Sequence, residues 1–154
     1  MTPGTPLTGR VRARRTEILH VEDSTADAEL LRDALAEFPE LSVRHVADGA
    51  EALAYLRNGN GNAGPRRPDL VLLDLDLPRV DGRRVLAEIK RDPALRAIPV
   101  VVLSGSALPE DRTRTYELGA NAYVVKPAQL HQFRAVVRAI CEFWCGAAAL
   151  PPQP

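Results

Sequence analysis

Short apolar segments alternate with amphipathic segments along the chain, and this alternation predicts the fold. The apolar segments are residues 17–21, 41–47, 70–73, 98–103 and 122–125. Runs this short, with polar residues at both ends, are typical of strands that are buried in a parallel sheet. Each is followed by a segment in which apolar residues recur at helical spacing. Five strands alternating with five helices predict a doubly wound parallel α/β fold.

The predicted helices have start and stop signals of the usual kinds. Ser24 or Asp23 can cap the first helix, and Pro39 stops it. The other helices are expected after the turn Asp48-Gly49, at about residues 82–91, at about 109–118, and from about 129 to 144. The Gly-, Asn- and Pro-rich composition of residues 58–68 predicts a flexible surface loop.

The length of the chain fits one domain with short extensions. Its 154 residues are enough for a single sizeable core. We divide them into a disordered basic arm at 1–15, a globular domain at 16–146 and a C-terminal extension at 147–154.

Charge and cysteine content narrow the classes of function. Lys and Arg total 20, as do Asp and Glu, so net charge gives no reason to expect nucleic acid or membrane binding. The apolar runs are too short to cross a bilayer, and no signal peptide is visible. Cys141 and Cys145 lack a metal or redox spacing, which favours reduced, packed thiols and a cytoplasmic location.

Acidic, hydroxyl and basic side chains stand at the C-terminal ends of four predicted strands. They are Glu22 and Asp23, Asp74, Ser104 and Lys126. Each is ordinary by itself, because an acidic pair can cap a helix and a serine is common in a loop. The carboxyl ends of parallel strands, however, meet along one edge of the sheet, so we expect all of them to converge there.

The chemistry of this set favours phosphoryl transfer. Carboxylates this close repel one another, and a hard dication with oxygen ligands, such as Mg²⁺, would resolve the conflict. Asp74 follows the most apolar strand and could act as a carboxylate nucleophile that forms an aspartyl phosphate. Lys126 would supply a cation, and Ser104 a hydrogen-bond donor, to the phosphoryl oxygens.

These residues resemble the receiver domains of two-component response regulators. The matching pieces are residues 21–23, 73–78, Asp81-Gly82, 100–104, Gly119-Ala120 and 123–127. The resemblance covers about residues 17–145 and implies a flavodoxin-like receiver fold with strand order 2-1-3-4-5. It also implies a signalling phosphoacceptor that assists its own phosphorylation and dephosphorylation, and not an enzyme in the usual sense.

The resemblance assigns roles to the acidic residues. Asp74 would accept the phosphoryl group of a histidine kinase. Asp23 and Asp74 would bind Mg²⁺ directly, together with the backbone carbonyl of Asp76, and Glu22 would act through water. Asp76 occupies a variable family position, and its carboxylate leaves the lifetime of the phosphate open.

The resemblance also implies a switch. Ser104 and Lys126 would contact the phosphoryl group, and Tyr123 would swing inward when Ser104 is pulled toward it. Serine replaces the commoner threonine at position 104, which keeps the hydroxyl and loses the methyl group. A cis peptide would join Lys126 to Pro127.

Three further segments look like the small response regulators that serve phytochromes. They are residues 92–99, residues 116–121 and the tail at 143–151. The expected partner is therefore a sensor histidine kinase of the phytochrome type, such as a bacteriophytochrome. Output through the receiver surface and a role as phosphate shuttle or sink are both left open.

Three other functions fit parts of the pattern. Asp74-Leu75-Asp76 resembles the start of haloacid-dehalogenase-type phosphatases, but there the acidic pair follows the nucleophile, whereas here Glu22-Asp23 precedes it. A pseudo-receiver would lack one of the functional residues, and all are present. A flavodoxin-type flavin carrier would have a Ser/Thr/Gly-rich phosphate loop after the first strand, and none follows.

The last helix predicts an assembly surface. Phe133, Val137, Ile140 and Trp144 form one apolar stripe that should pack on the sheet, and Phe143 belongs to a second stripe beside it. An uncovered stripe needs another partner, which favours a homodimer through the fourth helix, fifth strand, fifth helix and C-terminal tail. Alternatively, the tail folds back over its own subunit.

Overall fold

A five-stranded parallel sheet forms the centre of the computed structural model, which describes residues 15–58 and 67–153. The strands are β1 (Thr16–Val21), β2 (Leu41–Val46), β3 (Leu70–Leu73), β4 (Val100–Ser104) and β5 (Ala122–Val125). Their order is β2-β1-β3-β4-β5, and each neighbouring pair is parallel. The predicted fold class and strand order are therefore confirmed. The predicted arm, apart from Arg15, and most of the predicted loop at 58–68 lie outside the described residues.

Helices connect the strands near the predicted positions. They are α1 (Thr25–Leu35), α2 (Gly49–Asn58), α3 (Gly82–Arg91), α4 (Pro109–Glu117) and α5 (Leu130–Glu142), and a π-helical turn at Phe143–Ala147 follows α5. Ser24 caps α1, because its Oγ accepts a hydrogen bond from the backbone N–H of Asp27 at 3.2 Å. Gly119 follows α4 with a φ of 107°, a left-handed conformation that favours glycine.

The sheet is covered on both faces, and the alternation along β3 shows how. Val71 and Leu73 belong to the apolar cluster that contains α2 and α3 residues. Leu70 and Leu72 belong to the cluster that contains α1 and α5 residues. All four side chains are completely buried, which explains why this strand is a continuous apolar run. Among the described residues, no helix is long and apolar enough to cross a membrane.

The last helix packs its first apolar stripe on the sheet as predicted. Phe133, Val137 and Ile140 are buried there, and Trp144 is partly buried against the same cluster. Phe143 instead is 54% exposed, and its ring packs edge-on against the Trp144 ring with centroids 5.1 Å apart. The second stripe therefore ends in an exposed aromatic ring.

The C-terminal tail contacts its own chain near the start of β3, which fits the alternative in which it folds back over its own subunit. The side-chain Nε2 of Gln153 donates hydrogen bonds to the backbone oxygen of Arg67 at 3.0 Å and to Oδ1 of Asp69 at 2.7 Å. Asp69 is buried just before β3, where its Oδ2 also accepts a hydrogen bond from the backbone N–H of Glu17 at 2.8 Å. The reason is local: this buried carboxylate offers the glutamine an acceptor within its own subunit.

Candidate functional site

The sheet brings the predicted site residues together where its strands end, and we call this region the carboxyl edge. The hydrogen-bond ladder continues one residue past three strands. Glu22 N–H donates to Val46 O and Asp74 N–H to Val21 O, each at 3.0 Å. Lys126 N–H donates to Ser104 O at 2.8 Å. These bonds fix the backbone from which the functional side chains project.

Three carboxylates converge at this edge. Glu22, Asp23 and Asp74 each offer one oxygen, and these oxygens all lie within 4.8 Å of one another. Glu22 and Asp74 are buried, whereas Asp23 is exposed. A set of oxygen donors that carries this much negative charge fits a hard divalent cation such as Mg²⁺ or Mn²⁺. The predicted convergence of the strand ends is thus confirmed for these acids.

Lys126 lies among the acids and contacts more of them than the sequence indicated. Its Nζ lies 2.7 Å from Oε2 of Glu22, 3.1 Å from Oδ2 of Asp27 and 3.3 Å from Oδ2 of Asp74. Burial by itself would lower the pKa of Lys126, but Glu22, Asp74 and Asp27 together outweigh burial and raise it. The lysine therefore stays protonated over the whole physiological range.

Glu22 is the acid whose protonation is most affected by the site. Its side chain is 1% exposed, and burial raises its pKa to about 7, against the opposing effect of Lys126. The nearby Asp74 raises the pKa further, and a hydrogen bond from the backbone N–H of Ser24 opposes the rise. Burial thus favours the protonated form of Glu22, whereas Lys126 and a bound cation would favour the ionised form.

The loop after β3 holds Asp74 in place. Its Oδ1 accepts a hydrogen bond from the backbone N–H of Asp76 at 3.1 Å. Gly82 packs directly against this turn, because a Cβ at that position would lie 2.2 Å from the Asp74 carbonyl oxygen. The carboxylate of Asp76 is exposed and lies outside the three-carboxylate cluster. A metal role for Asp76 through its backbone carbonyl stays a prediction.

A chain of hydrogen bonds joins Ser104 to Tyr123. Ser104 is 1% exposed, and its Oγ accepts a hydrogen bond from the backbone N–H of Ser106 at 3.2 Å. The hydroxyl of Tyr123 donates to the carbonyl oxygen of Ser106 at 2.8 Å. Tyr123 thus already packs inward against the core, and the Ser104 hydroxyl keeps its own proton for another acceptor.

One implied feature of this edge is wrong. The described residues contain no cis peptide bond, so Lys126 and Pro127 are joined by a trans bond. The trans form is the intrinsically favoured one for a bond to proline. In this conformation the Lys126 side chain reaches all of its acidic partners.

Sequence reasoning missed two contacts at this edge. Asp27 was not singled out, although its position in the first turn of a helix capped by Ser24 placed it near the strand ends. The second contact is that of His45 on β2, whose Nε2 lies 2.7 Å from the carbonyl oxygen of Glu22. No sequence motif signals the second contact, because it depends on the register between β1 and β2.

The fold and the acidic edge define a class of protein, and comparison with known proteins agrees. Residues 18–138 match the response regulator receiver domain, and the chain belongs to that family. It is 42% identical over 137 residues to the response regulator Rcp1 of Synechocystis sp., covering 87% of this chain and 92% of Rcp1.

Solved structures place the chain among relatives of phytochrome response regulators. The phosphorylated cyanobacterial phytochrome response regulator RcpA is 49% identical with a TM-score of 0.85, covering 90% of this chain and 99% of RcpA. The Mn²⁺-bound form of Rcp1 is 41% identical with a TM-score of 0.82, covering 89% of this chain and 99% of that one. The predicted family and its phytochrome branch are confirmed, and the phosphatase and flavin-carrier alternatives are not supported.

Proposed function

We propose that this protein accepts a phosphoryl group on Asp74 from a histidine kinase, with a divalent cation at the carboxyl edge. The observation that carries the proposal is the position of Lys126, whose Nζ lies between Glu22 and Asp74 at the buried end of the sheet. A cation fixed beside a buried carboxylate, with further acids at metal-binding distance, suits transfer of an anionic group.

The acids would hold the metal. Asp23 and Asp74 would bind it directly, together with the backbone carbonyl of Asp76, and Glu22 would act through water. Mg²⁺ is the expected ion, and when bound it neutralises charge on the phosphoryl oxygens. Asp23 is the exposed member of the cluster, so it faces the solvent from which the ion arrives.

The chain's own residues would carry out the transfer. A carboxylate oxygen of Asp74 forms the new P–O bond as the P–N bond of the kinase phosphohistidine breaks, and the imidazole nitrogen keeps the electron pair. Lys126 and the hydroxyl of Ser104 donate hydrogen bonds to the transferred group. Asp74 is 7% exposed, so water has little access to it except along the path of the donor.

The hydrogen-bond chain from Ser104 to Tyr123 would report phosphorylation to the protein surface. If the Ser104 hydroxyl moves toward the phosphoryl group, the loop that begins at Ser104 moves with it. Tyr123 is hydrogen-bonded to that loop through the carbonyl oxygen of Ser106. Tyr123 lies on β5, next to the exposed Tyr116 of α4. Such a switch would serve protein–protein signalling through the receiver surface, whereas the alternative role as a phosphate shuttle or sink needs only the phosphorylation of Asp74.

Phosphotransfer from a kinase tests the proposal. A phytochrome-type histidine kinase, labelled on its histidine with radioactive ATP, should transfer the label to the wild-type protein within minutes in the presence of Mg²⁺. Asp74→Asn, which keeps the size of the side chain, should receive none. An unrelated histidine kinase should transfer much more slowly, and equal rates from both kinases would refute the phytochrome pairing.

We also propose a homodimer through α4, β5, α5 and the C-terminal tail. Tyr116 of α4, Val125 of β5 and Phe143, which directly follows α5, are 47%, 41% and 54% exposed. A symmetric contact repeats each residue twice, so Phe143→Asp should yield a folded monomer. Sedimentation at tens of micromolar tests this: a wild-type protein that is monomeric with and without phosphorylation would contradict it.

A further inference from the structure

Asp27 is an acidic partner of Lys126 that the reaction proposed above leaves without a role. Its Oδ2 lies 3.1 Å from the lysine Nζ, closer than the 3.3 Å that separates Nζ from Asp74. An ammonium group has three N–H donors, and in this structure three carboxylates accept from it. A phosphoryl oxygen that binds Lys126 must therefore compete with a carboxylate.

The position of Asp27 makes it the partner most open to change. Its side chain is 37% exposed, against 1% for Glu22 and 8% for Asp74. Together with Lys126, Pro127 and Leu130, it lines a small cavity of about 140 Å³. Asp27 thus stands at the solvent-exposed side of the lysine, while Glu22 and Asp74 contact the same Nζ from buried positions.

The backbone of Asp27 is fixed by the start of α1. Its N–H donates to Ser24 Oγ at 3.2 Å, so the residue sits in the first helical turn with its carboxylate toward β5. An acid in the first turn of a helix is also favoured by the helix dipole, and this offers a purely structural explanation of the residue. A purely structural role would leave the binding of an anion at Asp74 unchanged. A role in holding Lys126 would affect that binding.

We propose that Asp27 is a positioning residue that holds Lys126 from the α1 side and sets the affinity of the site for its phosphoryl donor. Its negative charge repels the incoming phosphoryl group and occupies one donor of the lysine. The inference rests on the proposed phosphorylation of Asp74. It predicts that removing this one charge makes donor binding tighter while the transfer step changes little.

The test is a kinetic comparison with acetyl phosphate as the donor and Mg²⁺ at saturation for each variant. Asp27→Asn keeps the shape and an oxygen acceptor, and should lower the half-saturating donor concentration roughly threefold to tenfold. The maximal rate should stay within about twofold of the wild-type rate. The difference should shrink at high salt, because part of the repulsion acts through solvent.

Two variants serve as controls. Asp33→Asn removes the same charge from the same helix, where Asp33 lines the groove between α1 and α5 and not the site of Lys126. It should keep the wild-type half-saturating concentration. Asp27→Glu restores the charge and should return the value toward that of the wild type.

The outcomes separate the two proposals. Equal half-saturating concentrations for Asp27→Asn and Asp33→Asn, with the wild type phosphorylated on Asp74, would overturn the role of Asp27 alone. A lower melting temperature for Asp27→Asn with unchanged donor kinetics would assign Asp27 a structural role and also overturn it. A wild-type protein that takes up no phosphoryl group would overturn the proposed function, and with it this inference.

Discussion

Two half-buried lysines lie one at each edge of the sheet. They have similar numbers of partners, but the partners of one are neutral and those of the other are negatively charged. Lys90 lies at the amino edge, where the strands begin. Its Nζ donates to the carbonyl oxygens of Arg96 and Ile98 at 3.1 and 2.9 Å and to Oδ1 of Asn121 at 3.0 Å. Lys126, at the carboxyl edge, has three carboxylates in the same role.

The pKa values of the two lysines move in opposite directions. At the amino edge the partners of Lys90 are neutral, and burial lowers its pKa. At the carboxyl edge burial also acts to lower the pKa of Lys126, but the surrounding acids prevail and raise it. Lys90 donates to neutral oxygens, two of the backbone and one of a side-chain amide. Lys126 instead is outnumbered by negatively charged carboxylates.

The difference teaches how to tell a structural polar cluster from a binding one. Asn121 illustrates the structural kind, because its Oδ1 also accepts from the backbone N–H of Val100 at 2.9 Å and its N–H donates to Val100 O at 2.9 Å. The groups at the carboxyl edge bind one another and keep excess negative charge. Such an excess is tolerated where a cation will complete the site.

The largest effect is expected when a metal ligand is removed from the carboxyl edge. Asp23→Ala takes away a direct oxygen ligand and one negative charge, so Mg²⁺ affinity should fall by about 100-fold or more. Titration calorimetry measures this. Asp76→Asn keeps its backbone carbonyl and should retain most of the affinity, and a variant Asp23→Ala with wild-type affinity would remove Asp23 from the site.

Exchanging each lysine for methionine tests the comparison directly. Lys90→Met leaves the carbonyl oxygens of Arg96 and of the buried Ile98 without this donor, and should lower the free energy of unfolding by about 1–3 kcal/mol, with or without Mg²⁺. Lys126→Met should cause a similar loss in metal-free buffer, and Mg²⁺ should recover much of it by neutralising the acids. Urea denaturation with and without Mg²⁺ measures both, and equal rescue of the two variants would break the distinction.

The acid sensitivity of the protein should depend on His20. This side chain is buried beside His45, and its Nδ1 has no hydrogen-bond partner in the described part of the chain. Burial, with His45 and Lys126 adding to it, lowers the pKa of His20 to about 3. The folded state therefore binds fewer protons than the unfolded state below pH 6.5, and stability is lost as the pH falls from there toward 3.

The expected loss from His20 between pH 7 and pH 5 is about 1–2 kcal/mol. Replacing His20 with leucine should flatten this part of the pH profile of unfolding. Replacing the exposed His131 of α5 with glutamine should leave the profile unchanged. If His20→Leu loses as much stability as the wild type between pH 7 and pH 5, another group causes the loss.

The smallest effect concerns the tail at the amino edge. Gln153→Ala removes two hydrogen bonds, one of them to the buried carboxylate of Asp69, and should cost about 0.5–1.5 kcal/mol. Hydrogen exchange of the Glu17 amide, which donates to the same carboxylate, should quicken in the variant. Gln132→Ala on the exposed face of α5 is the matched control, and identical exchange in both variants would show that the tail contact is not formed in solution.

The sequence predicted the frame of the molecule well because that frame depends on local patterns. The buried run Leu70–Leu73 gave a central strand, and the ends of parallel strands must meet. The start of α1 at Ser24 was predicted from a capping residue alone. Thus the convergence of Glu22, Asp23 and Asp74 followed from residue order.

Contacts that depend on side-chain reach could not be predicted in the same way. The pair between Asp27 and Lys126 joins residues 99 positions apart, and either could have pointed elsewhere. The expectation that the tail reaches a second subunit came from an uncovered apolar stripe. The contact of the tail with its own chain comes from a polar pair, Gln153 with Asp69. A pattern of apolar residues cannot show which polar side chains will meet.

The central claim is that the excess charge at the carboxyl edge serves phosphorylation of Asp74. Intact-mass spectrometry with peptide mapping, after incubation with acetyl phosphate and Mg²⁺, tests it most directly. We expect a mass increase of one phosphoryl group, mapped to Asp74. The increase should be absent when a chelator is added and absent in Asp74→Asn. Labelling of Asp74→Asn to the wild-type level, or labelling of the wild type that does not need a divalent cation, would contradict it.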